Sequence, residues 1–200
     1  MATIYDFKPQ FQALLRPIAA ALAKRGLSAN DVTLGALVLS IAQGAWLALM
    51  PGSAWPLLAL PVTLFLRMAM NAIDGLMAKE HDQATPGGAV LNEISDVVAD
   101  AALYLPFALI APFSLPWLFA IIFLATLTEF AGVLGVAHGK GRNYEGPMGK
   151  SDRALLFGAL GALVAVFGVL PAWTWHIQPM TCVLLVWTVV NRIRAGLVEA

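Results

Sequence analysis

The sequence predicts an all-α integral membrane protein, with six transmembrane helices preceded by an N-terminal amphipathic helix lying in the membrane interface. Apolar residues make up 60% of the chain and charged residues only 12%, and the mean hydropathy is +0.77. Soluble domains carry roughly 25% charged residues, so lipid is the better solvent for this surface. Three stretches, 32–66, 101–128 and 154–191, contain no Asp, Glu, Lys or Arg at all. Each, with its flanks, suits two helices of about 20 residues joined by a tight turn.

The segment before the first stretch, FKPQFQALLRPIAAALAKRGLSAN, repeats apolar residues at helical spacing with Lys8, Arg16, Lys24 and Arg25 between them. That pattern fits a helix lying on the membrane surface, and Ser28 or Asn30 is placed to cap the helix that follows. The turns inside the apolar stretches are MPGSAWP at Pro51, APFSLP at Pro112 and LPAWTWHIQP at Pro171, all rich in helix breakers. The six spans then run over 32–50, 54–78, 87–111, 115–137, 152–170 and 176–196. No linker or repeat beyond the three hairpins divides the chain, so 1–200 reads as one domain, with 1–28 as the interfacial helix and 32–196 as the spans.

Charge sets the topology. Lys8, Arg16, Lys24 and Arg25 precede the first span, Lys79 lies between spans 2 and 3, and Lys140, Arg142, Lys150 and Arg153 lie between spans 4 and 5. Arg192 and Arg194 close the chain, so of all basic residues only Arg67, inside span 2, is not at one end of the bundle. The positive-inside rule puts both termini and these loops in the cytoplasm. A formal net charge of zero argues against nucleic acid as a partner. With Cys182 as the sole cysteine, no intrachain disulfide forms. MATIYDFKPQFQ lacks the basic start and apolar run of a secretory signal.

Charges inside spans are costly and mark function. Asp74, Glu93, Asp96, Asp100 and Glu129 qualify. In RMAMNAIDGLMAKE, residues Arg67, Asn71, Asp74 and Ala78 share one helix face; in GGAVLNEISDVVADAALYL, Asn92, Asp96 and Asp100 do, with Glu93 close by. Two facing helices offering several oxygens suit a hard divalent cation such as Mg²⁺ or Mn²⁺. The alternative is a hydrogen-bonded seam that joins helices, which needs protonation or many basic partners to relieve the repulsion among the acids. Gly75 and Gly88 flank the cluster and leave room for a ligand or for a neighbouring backbone.

NAIDGLMAKEHDQATPGGAVLNEISD resembles the signature of the CDP-alcohol phosphotransferases (CDP-alcohol phosphatidyltransferases), integral-membrane enzymes of phospholipid biosynthesis. The family pattern is Asp, two residues, Asp-Gly, two residues, Ala-Arg, eight residues, Gly, three residues, Asp, three residues, Asp. Its positions fall without a gap on Asn71, Asp74, Gly75, Ala78, Lys79, Gly88, Asn92 and Asp96. LSANDVTLGAL is similar to the family's Ser-Pro-Asn segment followed by Thr, with Ala29 in place of the proline. The whole chain looks closest to a bacterial branch of the family, in which NALDG and LNE variants are expected.

The resemblance implies a transferase that moves a phosphatidyl (phosphoalcohol) group from a CDP-linked lipid, CDP-diacylglycerol by expectation, to a small alcohol, releasing CMP. It implies one or two Mg²⁺ or Mn²⁺ ions held at Asn71, Asp74, Asn92 and Asp96, with Asp96 as the base that activates the acceptor hydroxyl. It further implies a nucleotide site at Gly75, Ala78, Lys79, Gly88 and Asn30, a homodimer, and a bacterial cytoplasmic (inner) membrane location with the site facing the cytoplasm. Two of the family's aspartates are asparagine here and its arginine is Lys79. The site thus loses two negative charges, which Glu93 and Asp100 are positioned to restore.

HGKGRNYEGPMGKSDRALLFG brings Lys140, Arg142, Lys150 and Arg153 to the same face. Such charge also sets topology in any cytoplasmic loop. Lys150 and Arg153 are three apart, so both can face one anion near the helix N-terminus. GKSDR at a helix start also resembles the Gly-Lys segment of family members with phosphorylated acceptors, which puts Arg142, Lys150 and Arg153 forward as acceptor ligands. The rival readings are an ion-coupled carrier, which needs polar groups at the midplane and beyond, and a catalytically inactive homologue.

Overall fold

The computed structural model describes residues 8–137, 139 and 141–197, and Lys140 lies outside them. Seven α-helices follow in order: α1 (Lys8–Lys24), α2 (Ala29–Leu49), α3 (Ala54–Glu80), α4 (Pro86–Tyr104), α5 (Leu115–Ala137), α6 (Lys150–Phe167) and α7 (Ile177–Leu197). Short 3₁₀ segments at Leu105–Leu109 and Ala172–His176 extend α4 and precede α7. Among the described residues there is no strand.

Local chemistry explains the boundaries. Of the two candidates, Ser28 caps α2. Its hydroxyl accepts from the Asp31 amide while the Asp31 carboxylate accepts from the Ser28 amide at 2.8 Å, a reciprocal capping box. Thr85 caps α4 by accepting from the Gly88 amide at 3.0 Å, with Pro86 in the first turn, where its missing N–H costs nothing. Pro106 lies just beyond α4, and the chain tightens there into 3₁₀ geometry because proline cannot continue the hydrogen-bond ladder. The interhelical turns follow Pro51, Pro112 and Pro171, as the sequence predicts.

Helix α3 is the central element, packing against α2, α1 and α6; α2 also packs on α4, and α5 on α7. The close approach of α2 to α4 depends on Gly44, where a Cβ would run into the backbone carbonyl of Ala102. One core is aromatic and aliphatic, with Tyr104 stacked on Phe157 at 4.1 Å and Phe107 edge-on to the same ring at 5.1 Å. A second, smaller core joins Leu15 and Ala19 of α1 to Val32 of α2 and to Ala69, Ile73, Leu76 and Met77 of α3. Leu14 and Ile18, on the other side of α1, are exposed. The segment expected at the interface is thus helical over Lys8–Lys24 and braced on the half of α3 that carries the motif.

Among the described residues, four helical segments are long and apolar enough to cross a membrane: Ala29–Leu49, Ala54–Glu80, Leu115–Val136 and Ala172–Leu197. Helices α4 and α6 differ from the sequence expectation. At 19 and 18 residues they are long enough to span, but each carries three charges, Glu93, Asp96 and Asp100 on α4 and Lys150, Asp152 and Arg153 on α6. Most of those charges turn inward, as the site geometry makes clear.

Glycine contacts give a direct test of the packing. Gly44→Ala should lower stability by about 1–3 kcal/mol, the usual cost of forcing atoms into a filled interface. Gly75→Ala, where a Cβ meets nothing within 4 Å, should leave the unfolding midpoint unchanged or slightly raised. Thermal unfolding in detergent, followed by circular dichroism, reads both.

Candidate active site

The motif residues come together where α3 and α4 face each other. Asn71 donates from Nδ2 to Asp96 Oδ1 at 2.9 Å across the helix pair. Arg67, one turn earlier on α3, reaches both Asp96 Oδ1 at 3.3 Å and the Asp96 carbonyl oxygen at 3.1 Å. Asp74, one turn later, accepts at Oδ2 from the Thr33 hydroxyl of α2 at 2.8 Å. Helical spacing of three and four residues on α3 and of four on α4 is what brings these side chains into register.

Helix α6 supplies two further rungs. Lys150 Nζ sits 2.5 Å from Asp96 Oδ2. Arg153, nearly one turn deeper, donates from Nε to Asp100 Oδ2 at 2.9 Å. The pair Lys150 and Arg153 thus matches the pair Asp96 and Asp100. Arg67 closes the ladder from the other side, with Nη1 2.5 Å from Asp100 Oδ1.

The network continues through Glu129 of α5. Arg153 Nη2 donates to Glu129 Oε1 at 2.9 Å, and Arg142 Nη2 donates to Oε2 at 2.9 Å. Arg192 of α7 lies 3.4 Å from Oε2 and donates to the Thr128 carbonyl at 2.6 Å. Arg142 also pairs with Glu93. Arg153, Arg67, Asp96, Asp100, Glu129 and Arg192 are all buried. Five carboxylates (Asp74, Glu93, Asp96, Asp100, Glu129) stand against five cations (Arg67, Arg142, Lys150, Arg153, Arg192).

These positions change several sequence expectations. Glu93 and Asp100 do not offer free charge to a cation, because Arg142 engages the first and Arg67 and Arg153 the second. Arg153 does not share an anion with Lys150. It is 1% exposed, with its guanidinium committed to Asp100, Glu129, Thr128 and the Met148 carbonyl. Lys150 and Arg142 stay partly open, with side chains 25% and 19% exposed. Asn92, Gly75, Ala78 and Gly88 are half-buried around Asp74 and Asp96, whereas Lys79 is exposed. Asn30 lies beside Gly88, its Oδ1 2.7 Å from where a Cβ would stand.

Arg67, Thr33, Glu129 and Arg192 matter more than the sequence implied. The cost of charge within a span pointed to Arg67 and Glu129, but nothing in their spacing named their partners. Among the described residues, no three of His, Cys, Asp and Glu converge as a metal-ligand group. The oxygen donors at Asn71, Asp74, Asn92 and Asp96 have the chemistry that Mg²⁺ or Mn²⁺ takes, but both Asp96 oxygens are already bound to nitrogen donors.

Removing one partner of a buried pair strands the other. Arg153→Met should therefore cost roughly 3–5 kcal/mol, and Arg153→Lys should not rescue it, because one ammonium cannot reproduce the fork. Arg16→Gln, which breaks an exposed 2.8 Å pair with Glu80, should move the midpoint far less, since water and salt screen such pairs. Thermal denaturation of the purified chain in detergent gives the comparison.

Comparison with known proteins gives the family and the fold. The CDP-alcohol phosphatidyltransferase family model matches residues 27–189, which includes α2 through most of α7. Inner membrane protein YnbA of Escherichia coli (strain K12) is 44% identical over 197 residues, covering 98% of this chain and 96% of that one. Two crystal structures of Mycobacterium tuberculosis phosphatidylinositol phosphate synthase (PgsA1) share the fold. The one with CDP-DAG bound superposes with a TM-score of 0.73 at 22% identity, covering 92% of this chain and 94% of that one. The one in complex with manganese and citrate gives 0.72 at 23%, covering 91% and 88%. On the family match and the identity to its relative, the chain belongs to the CDP-alcohol phosphatidyltransferase family.

Proposed function

We propose that this protein transfers a phosphatidyl group from a CDP-linked lipid, CDP-diacylglycerol in the first instance, to the hydroxyl of a small alcohol, with release of CMP. The observation that carries this reading is Asp96. It lies at the last position of a gapless family signature, one helix away from Asn71 and Asp74, and is oriented by Arg67 and Asn71. The PgsA1 structure with CDP-DAG supports the donor class, and the one with manganese supports a divalent cation.

In this reading, Asp96 accepts the proton of the acceptor hydroxyl as that oxygen attacks the β-phosphorus. Arg67 fixes the carboxylate through its side-chain and backbone oxygens, and Thr33 holds Asp74. Gly75, Ala78 and Gly88 leave space for the nucleotide beside Asn30 and Lys79. Mg²⁺ or Mn²⁺, one ion or two, is the cofactor, held by Asn71, Asp74, Asn92 and Asp96; when bound it neutralises charge on the pyrophosphate and improves CMP as a leaving group. Arg142, the partly exposed cation beside Glu93, is the acceptor ligand for a phosphorylated alcohol, and Lys150, beside Asp96, stands between it and the donor phosphates, within the reach of either. Arg153 is left out of that role because its donors are spent.

The rest of the reading concerns placement. The chain forms one domain with six crossings, α4 and α6 being shielded from lipid charge cost by their ion pairs. Helix α1 rests in the interface, where Leu14 and Ile18 meet lipid. Both termini and the site face the cytoplasm, in a bacterial cytoplasmic membrane, and two copies associate as a homodimer.

The test is CMP release from CDP-diacylglycerol by purified protein with Mg²⁺ or Mn²⁺, over a panel of free and phosphorylated alcohols. Wild type should turn over with at least one acceptor, and Asp96→Asn should lose activity by roughly 10²-fold or more, as expected for a general base. Equal inactivity of both proteins against the whole panel would remove the enzymatic reading.

A further inference from the structure

Both carboxylate oxygens of Asp96 are already met by nitrogen donors without any added ion. The five carboxylates and five cations of the cluster are buried or half-buried. Of the carboxylates, only Asp74 has no ion pair among the described residues, and it accepts from Thr33 instead. Lys150 is the most adjustable of the cations. It sits at the first residue of α6, its side chain is 25% exposed, and among the described residues it pairs with Asp96 Oδ2 at 2.5 Å. By contrast, the arginine forks of Arg67, Arg153 and Arg192 each hold two or more acceptors in fixed planes.

A bare divalent cation entering beside Asp96 would meet an ammonium in its seat and add two positive charges next to Arg67 and Lys150 in a low-dielectric site. The two asparagines supply carbonyl oxygens but no charge to offset that. A pyrophosphodiester changes the balance, because each phosphate brings one negative charge. Ion and pyrophosphate together add no net charge, and the phosphate oxygens give the displaced ammonium a new partner.

We infer that Lys150 is the resident counter-ion of Asp96, and that a divalent cation enters this site only together with the donor pyrophosphate, which draws Lys150 off the carboxylate. This rests on the proposed CDP-lipid chemistry and adds an order of binding to it: ion and donor enter as a pair. Lys150 is a positioning residue in this scheme. It keeps Asp96 unavailable until a substrate anion arrives.

Equilibrium dialysis of Mn²⁺ against the purified full chain in detergent tests it, with CDP-glycerol as a soluble pyrophosphodiester and bound manganese counted as the readout. Wild type should bind Mn²⁺ weakly alone and about tenfold or more tighter with saturating CDP-glycerol. Lys150→Met should bind Mn²⁺ alone about tenfold or more tighter than wild type does, with little further gain from CDP-glycerol. Equal Mn²⁺ affinity of wild type with and without CDP-glycerol would overturn the inference and leave the phosphotransfer reading intact. So would a folded Lys150→Met protein that still depends on CDP-glycerol as wild type does. Retention of Mn²⁺ in no arm at all would overturn both the metal–nucleotide reading and this inference. The wild-type arms decide the matter even if the variant does not fold.

Discussion

The structure depends on the pairing of charge inside an apolar bundle. Taking a single carboxylate or guanidinium out of water costs several kcal/mol, and lipid offers no solvent to relieve it. Arg153 meets this constraint by tying Asp100 of α4 to Glu129 of α5. Arg67 brings α3 into the same network through Asp100 and Asp96, and Arg192 brings in α7 through Glu129. Five helices thus share one set of ion pairs at one end of the bundle. The other end is held by the aromatic stack of Tyr104, Phe107 and Phe157 and the aliphatic residues around it.

That division gives the site two parts of different stiffness. The deep part, Asp100, Glu129, Arg153 and Arg192, is fully committed and fixes where α4, α5, α6 and α7 stand. In the shallow part Asp74 is held by the Thr33 hydroxyl rather than by a cation and Lys150 is 25% exposed, while Asp96 takes three side-chain donors. The proposed chemistry is assigned to this part, where Asp74 and Lys150 can change partners without stranding an arginine. The deep part serves by keeping Arg67 in place, and so by fixing the Asp96 carboxylate relative to Asn71.

Much of the fold is legible in the sequence, for reasons that lie in single segments. Pro51, Pro112 and Pro171 stand in turns and mark helix breaks, unlike Pro17 and Pro61 within α1 and α3, and Ser28 with Asp31 writes a helix start in four residues. The motif spacing likewise puts Asn71, Asp74 and Asp96 on facing sides of one hairpin. The pairings are less legible, because they join residues far apart in the chain, as Arg192 to Glu129 and Arg153 to Asp100 do. Sequence shows that Glu93 and Asp100 are costly where they are, and only packing shows that arginines neutralise them. It was the same for Arg153. A spacing of three from Lys150 suggested one shared anion, whereas the geometry sets the two cations on successive rungs, Asp96 and Asp100.

The account's central claim is that Lys150 holds the place beside Asp96 until a pyrophosphate-bound cation takes it. Anomalous scattering at the manganese edge, from crystals grown with Mn²⁺ alone and with Mn²⁺ plus a CDP-lipid, tests this most directly. The account predicts a manganese peak between α3 and α4 only in the second crystal, with the Lys150 ammonium moved from Asp96 onto phosphate oxygen. A manganese peak at Asp96 in the first crystal, or Lys150 still paired with Asp96 beside a bound ion, would contradict it.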